Sequence, residues 1–552
     1  MVSRQTLYGA LCVASSVKEV IKGSTSVARE SAGLWLKTSS LTRPLLSKYQ
    51  WFYDPEWEKA KSLSERLRNQ KFITRSPGRP KNVASKATRS FSTSARRLSK
   101  DGQNFEEKKD QIKELQSSDV PSSRISRLFH YGSLAAGVGL SAASQGLNQV
   151  ISGKKPTFKS LILSEENLER ITKKFSKMRG AALKIGQLMS FQDEKVLPRE
   201  LYEIISRVQN RAHYMPRRQL DRVLTRELGP AWAEKLGSFD PVPIAAASIG
   251  QVHEATLKSG EEVVMKIQYP GVKESIDSDL NNILMFLTAS RLLPRGLYLD
   301  KTVANARVEL KWECDYEREA SCLEKFEQLL SKDPILKTPH VIKDLTTENI
   351  ITMTRMHGTE IMKLADTAPQ ETRDFISSNI MKLCLQEIAE FKFMQTDPNW
   401  ANFFYNAKQH TLELLDFGAS RSYSDDFIFK YRRMLTLGTK RDREGVAKVS
   451  KELGYLTGFE SKAMVDAHVD SVLVLSEPFS GPIDRLFDFS HQTVTDRIRE
   501  NIGLMLEERL CPPPEETYSL HRKFSGVFLL CAKMQAKVPM AELFQKHFAL
   551  HD

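Results

Sequence analysis

Gln395-Thr-Asp397-Pro-Asn-Trp-Ala-Asn402, a short apolar run, and then Leu414-Leu-Asp416-Phe417-Gly418 make up the stretch that decides the fold of this chain. An Asp, an Asn five residues on, and an Asp-Phe-Gly about twenty residues past the first Asp is the spacing with which a kinase-like site holds magnesium and nucleotide phosphates. The residue types suit that chemistry. Mg²⁺ is a hard cation that takes oxygen ligands, commonly one or two side chains plus phosphate oxygens. Asn402 and Asp416 are therefore the candidate metal ligands. Asp397 is the candidate catalytic carboxylate, placed to orient a hydroxyl or water for attack. An isolated Asp-Phe-Gly reads more simply as polar loop residues, so the decision rests on whether the remaining parts lie upstream in order.

They do. Pro241 to Ala255 and Glu262 to Ile267 read as strands joined by turns, the first three strands of a kinase small lobe. Lys266 falls where a lysine neutralises the α and β phosphates. In place of a glycine-rich loop the chain has Ala245, Ala246, Ala247 and Ser248, candidate nucleotide-contacting residues whose Cβ atoms restrict positive φ. Glu309 to Ala320 is expected as a single helix. At 100° per residue Asp315 and Glu319 point within about 40° of each other, while Glu313 lies about 120° from Glu319. Glu319 is accordingly assigned to pair with Lys266, leaving Glu313 and Asp315 for another cation. Val341 to His357 reads as two further strands and the hinge, residues 370–393 as a helix apolar on one face, and Phe427 to Ala549 as mostly helical. No Ala-Pro-Glu is found, and only Ala419 to Ser422 separate the Asp-Phe-Gly from the next polar turn. A long activation segment for docking a peptide is thus not expected.

Charge is divided sharply along the chain. Residues 1–100 hold 20 Lys/Arg against 6 Asp/Glu, so the +13 of the whole is confined to the head and the remaining 452 residues net −1. A basic, nucleic-acid-binding body is unsupported. Arg-rich, Ser-rich and acid-poor composition in that head is what a mitochondrial presequence needs, and residues 1–100 are expected to be one, outside the fold and disordered. The six cysteines show no paired spacing, which argues against a zinc site or a disulfide framework.

Residues 101–160 read as linker containing a candidate membrane helix at 128–150. Leu128 to Gly153 carries no formal charge and is long enough to span a bilayer. Its apolarity is moderate, and Ala135, Gly139 and Ala143 recur every four residues on a face where two helices could approach in a homodimer. Residues 161–235 are read as a helical extension that contains Leu183-Lys184-Ile185-Gly186-Gln187. A mid-helix glycine there suggests close approach of another backbone or ligand. A buried Lys184 requires an anionic partner, and Glu313 or Asp315 is the spare acidic pair. The segment is therefore expected to lie across the cleft with Gln187 near the phosphates. The small lobe is assigned to 236–360 and the large lobe to 361–552.

Lys184-x-Gly186-Gln187, the Ala-rich loop, Lys266, Glu313-x-Asp315, and Asp397 with Asn402 ahead of Asp416-Phe-Gly418 together resemble the UbiB family of atypical, aarF-domain kinases. The likeness covers about residues 120 to 540. It implies an α+β protein-kinase-like two-lobed fold with an N-terminal helical KxGQ extension, and binding of ATP and Mg²⁺. With the presequence, it also implies the mitochondrial branch of the family that supports coenzyme Q (ubiquinone) biosynthesis. Attachment to inner-membrane lipid on the matrix side follows from the resemblance, as does partnership with coenzyme Q biosynthetic proteins and their lipid intermediates. The implied reaction is phosphoryl transfer from ATP, as an ATPase or small-molecule kinase. A nucleotide-bound pseudokinase scaffold, or a protein kinase acting on the biosynthetic complex, is the alternative.

Overall fold

The computed structural model describes residues 214–289 and 299–550, with isolated helical positions between 133 and 145 and between 167 and 173. The presequence, the greater part of the 128–150 segment, and Lys184 to Gln187 lie outside the described residues. So do the expected presequence disorder and the expected lid. The chain divides into two units, and everything from residue 163 onward belongs to the second. Among the described residues no helix is long and apolar enough to cross a membrane.

The small lobe is built on an antiparallel sheet. Strands β1 (Leu236–Phe239), β2 (Ala245–Ala246), β3 (Gly250–Leu257), β4 (Glu262–Gln268) and β6 (Ile350–Thr354) run in the order β1-β3-β4-β6, with β2 also on β3, while β5 (Leu336–Lys337) and β7 (Thr359–Glu360) are the outer strands of a second sheet. Central β4 shows why: Val263, Met265 and Ile267 alternate onto one face and are fully buried, the period of two that a packed strand requires. Lys266 stands opposite Val252 on β3 and Ile351 on β6, in the middle of the sheet. Gly260, at φ +91°, makes the turn between β3 and β4.

Helices α1 (Arg217–Leu228), α2 (Val272–Ala289), α3 (Leu299–Glu313) and α4 (Tyr316–Leu329) accompany this sheet. The segment expected as one helix from Glu309 to Ala320 is therefore two. α3 stops at Glu313, and α4 starts after Asp315, whose carboxylate accepts the Arg318 N–H at 3.0 Å. Asp315 is an N-cap in extended backbone (φ −116°, ψ 90°). The expected angles between residues 313 and 319 do not hold, because no continuous helix connects them.

The large lobe surrounds α5 (Gln370–Ala389), which is buried on most of its circumference rather than on one face. Packed around it are α6 (Asp425–Thr439), α10 (Glu515–Lys533) and α11 (Met540–His547), so its Ile376, Ile380, Cys384 and Ile388 meet protein on all sides. α7 (Arg443–Leu453), α8 (Lys462–Ser476) and α9 (Val494–Glu508) complete the lobe. Cys314, Cys322, Cys384 and Cys531 are buried free thiols. This is the α+β two-lobed kinase-like arrangement that the motifs imply.

Candidate active site

Four short strands bracket the decisive loop. β8 (Phe393–Gln395) pairs antiparallel with β11 (Ser420–Ser422), with Gln395 opposite Ser420. β9 (Phe403–Asn406) pairs with β10 (Thr411–Leu414), with Phe403 opposite Leu414. Residues 396–402 leave the first ladder and enter the second, and residues 415–419 return between the same two ladders. Sheet register alone thus sets Asp397 and Asn402 against the Asp416 turn. Cross-links finish the job: Leu415 N–H donates to the Asn402 carbonyl (3.0 Å), and Thr396 donates to the Ala419 carbonyl from both its N–H (3.2 Å) and Oγ1 (2.7 Å).

Lys266 reaches into this site from β4. Its Nζ donates to Glu319 Oε1 and Oε2 at 2.8 and 3.0 Å and to Asp416 Oδ2 at 3.1 Å. Sequence reading names Glu319 as the partner of the lysine; Asp416 it assigns to the metal, and the Lys266–Asp416 contact is found only in the structure. Burial works against the charged ammonium, but the Asp416 and Glu319 carboxylates more than offset it and hold Lys266 well above its usual range. Burial pushes Glu319 up to about 7, with Lys266 opposing the rise and Asp416 adding to it. Asp416 differs in exposure: a third of its side chain is open, whereas Glu319 is 2% open. Asp416 Oδ1 accepts the Gly418 N–H at 3.0 Å. Phe417 is buried against Phe326 of α4 (centroids 4.9 Å apart), which keeps the turn seated beneath that helix.

The donor set fits Mg²⁺. Its oxygens are the Asp416 carboxylate, a third exposed, and the Asn402 amide carbonyl; the Asn402 Nδ2, buried without an acceptor, is a donor and not a ligand. Among the described residues no group of three His, Cys, Asp or Glu could hold a metal ion. Asp397 is half-buried, and its Oδ1 accepts the Asn399 N–H at 3.3 Å. The Ala-rich segment is a pinned hairpin: Ala245 and Ala246 pair with Val252 and Gln251, and Ala247 N–H donates to the Gly250 carbonyl at 2.8 Å. Gly250 is needed there, since a Cβ would stand 2.6 Å from the Ile267 carbonyl oxygen and 2.7 Å from the Tyr316 hydroxyl. Glu313 is buried at the end of α3.

Helix α10 contributes residues that sequence reading missed. Arg522 makes a bidentate pair with Glu309 of α3 (2.9 and 3.1 Å) and donates to the Thr396 carbonyl and hydroxyl (3.4 and 3.3 Å). Lys523 lies 3.3 Å from Glu387 of α5 and donates to Gln395 Oε1 at 3.2 Å, while Glu387 accepts the Gln395 N–H at 3.1 Å. Trp400 Nε1 donates to the Gly526 carbonyl at 3.1 Å. A Cβ on Gly526 would stand 2.1 Å from Pro398 Cβ. The loop carrying Asp397 therefore rests on the penultimate described helix. The available signal was a pair of basic residues opening the apolar run Phe524 to Cys531 and an acid inside apolar α5.

Residues 207–450 match the model of the ABC1 atypical kinase-like domain. The protein named atypical kinase COQ8, mitochondrial, of Saccharomyces cerevisiae is 69% identical over 444 residues, 80% of this chain and 88% of that one. This chain belongs to the ABC1 (UbiB) family of atypical kinases. The COQ8 protein of Schizosaccharomyces pombe is 49% identical over 79% of this chain and 72% of its own length, and COQ8B of Danio rerio 48% identical over 77% and 68%. Among solved structures, an Rv3197–erythromycin complex from Mycobacterium tuberculosis is similar with a TM-score of 0.49 and 23% identity, covering 70% of this chain and 97% of that one. The ABC1 atypical kinase-like match runs from ahead of α1 into α7, so it includes every residue of the Lys266, Asp397 and Asp416 constellation.

Proposed function

We propose that this atypical kinase is a Mg²⁺-dependent ATPase or small-molecule kinase that supports coenzyme Q biosynthesis in mitochondria. The observation that carries the reading is Lys266 bridging Glu319 and Asp416 while Asp416 keeps a third of its side chain open to the cleft. A bound Mg²⁺ would neutralise charge on the transferred phosphoryl group. Asn402 and Asp416 hold that cation, Lys266 holds the α and β phosphates, and Glu319 fixes the lysine. Asp397, fixed by the Asn399 N–H and by the loop's attachment to α10, takes the proton from the attacking hydroxyl or water. The short connection favours small acceptors over peptides: Ser424 already caps α6, two residues after β11 ends at Ser422. Lys184 and Gln187 are proposed to close the cleft above the Ala-rich hairpin. Asp315 is committed through Oδ1 to its cap, which favours Glu313 as the Lys184 partner. The mitochondrial COQ8 relatives support the compartment and the pathway. Contact with inner-membrane lipid, with biosynthetic proteins, and a homodimer through residues 128–150 belong to the same proposal.

The test is phosphate release from ATP by the full chain together with rescue of Saccharomyces cerevisiae lacking its COQ8. Asp416→Asn should remove magnesium-dependent nucleotide binding without moving the melting temperature of the ligand-free protein. Asp397→Asn should bind nucleotide but turn over roughly 10²- to 10⁴-fold more slowly. Neither variant should restore coenzyme Q. Restoration by Asp397→Asn would mean that the protein acts by shape as a nucleotide-bound scaffold.

A further inference from the structure

Arg318 precedes Glu319 on α4, and its contacts run to the turn that carries Asp416. Its Nη1 donates to the Gly418 carbonyl at 2.8 Å and its Nη2 to the Ser420 carbonyl. The guanidinium lies over the Trp312 ring of α3, 4.6 Å from the centroid, which fixes the plane of the fork. With these bonds four successive carbonyls after Asp416 are engaged. Phe417 O accepts from the N–H and Oγ of Ser420 (3.2 and 2.7 Å), Ala419 O accepts from Thr396, and Gly418 O and Ser420 O accept from Arg318. One side chain thus holds two of the four. The seat is close: a Cβ on Gly418 would stand 3.3 Å from Glu319 Oε2 and 3.5 Å from Asp416 Oδ1. In kinases that order this turn by phosphorylating an activation segment, a long loop is available for the purpose. Here only Tyr423 and Ser424 separate β11 from α6, so the ordering has to come from within the fold.

We propose that Arg318 is the positioning residue of the metal site. It fastens the Asp416-Phe417-Gly418 turn to α4, so the carboxylates of Asp416 and Glu319 keep their places around Lys266 before the cation and nucleotide arrive. The inference rests on the Mg²⁺-nucleotide reading above and adds to it a side chain that touches neither ligand. Arginine is required because two carbonyls two residues apart need a planar, charged fork. A lysine ammonium carries comparable charge but cannot span both in one plane.

The experiment is a magnesium titration of nucleotide binding by the full chain, compared with binding in EDTA, for wild type, Arg318→Lys and Arg318→Met. Methionine keeps an apolar stem against Trp312 and removes both bonds. Half-saturating magnesium should rise by about 10- to 100-fold in Arg318→Met, the size of effect that loss of an outer-shell partner has on a metal site. Arg318→Lys should fall between Met and wild type, and affinity in EDTA should be unchanged in both. A wild type that shows no magnesium dependence overturns the Mg²⁺-nucleotide reading itself. A magnesium-dependent wild type with an unmoved half-saturation in the variants overturns the role of Arg318 alone. So does equal weakening with and without magnesium, since general loosening of the cleft would do that. If Arg318→Met fails to fold, Arg318→Lys decides by the same criteria.

Discussion

Two charge clusters flank the decisive loop, and they differ in one respect. On the cleft side Lys266 binds two carboxylates, Glu319 and Asp416, and the second is a third exposed. Behind the loop Lys523 and Glu387 face each other with side chains 2% and 1% exposed, sharing Gln395 between them. Both raise the affected glutamate: burial pushes up Glu387 as it does Glu319, against the nearby lysine in each case. The open cluster keeps oxygen available to a ligand, whereas the sealed one turns its polar atoms onto a strand end. The difference separates chemistry from support, although composition and burial look alike.

That separation can be broken by paired substitutions. Removing Lys523 alone, as Lys523→Met, should cost about 3 to 5 kcal/mol because Glu387 is left buried without its cation. Replacing both, Lys523→Met with Glu387→Met, should recover most of that stability and leave ATP turnover near wild type. The matching double replacement of Lys266 and Glu319 should recover stability but no turnover. Thermal melts and phosphate release on the four proteins check this, and a sealed-pair double variant that is stable but inactive would erase the distinction.

A smaller effect is expected where α10 touches the loop. Gly526→Ala must displace Pro398, given the 2.1 Å approach of its Cβ, at a cost of about 1 to 3 kcal/mol for overpacking. Because Pro398 follows Asp397, the loss should appear in kcat while KM for nucleotide holds. Equal changes in both would show that the shift spreads to the Lys266 cluster.

The smallest effect is set by pH. Burial lowers His253 and His468 to about 4, with Arg509 adding to the effect at His468. These histidines are neutral in the fold, and their stabilising contribution is complete above pH 6.5. It is lost as pH falls toward 4, because the unfolded chain takes protons first. At pH 5.5 each should contribute about 1 kcal/mol less than at pH 7.5. His468→Gln should flatten the dependence of melting temperature on pH between those values, and an unchanged slope would contradict a neutral buried His468.

How far the sequence disclosed this follows from distance along the chain. Lys266, Asp397, Asn402 and Asp416 could be picked out because the metal and phosphate chemistry proposed for them demands those side chains in that order. The Glu319 assignment meets its lysine even though the helix argument behind it fails. An aspartate cap interrupts the run Trp312 to Glu319 with no glycine or proline to announce it. In sequence Arg318 is one charge among Glu313, Asp315, Glu317 and Glu319, and only its neighbours in space, 100 and 102 residues on, give it work. Gly526 and Lys523 lie more than 120 residues from the loop they support. Nothing periodic in α10 marks the face that meets it.

The attachment of the Asp397 loop to α10 sets a clock on synthesis. At roughly 5 to 20 residues per second, all the groups proposed for chemistry, from Lys266 to Asp416, leave the ribosome before Arg522, Lys523 and Gly526 exist. The nascent chain therefore carries every side chain proposed for chemistry on a loop with no floor, and the proposed ATP site is finished only once α10 has docked. A message truncated anywhere between Gly418 and Glu515 should yield a protein with every motif intact and no turnover.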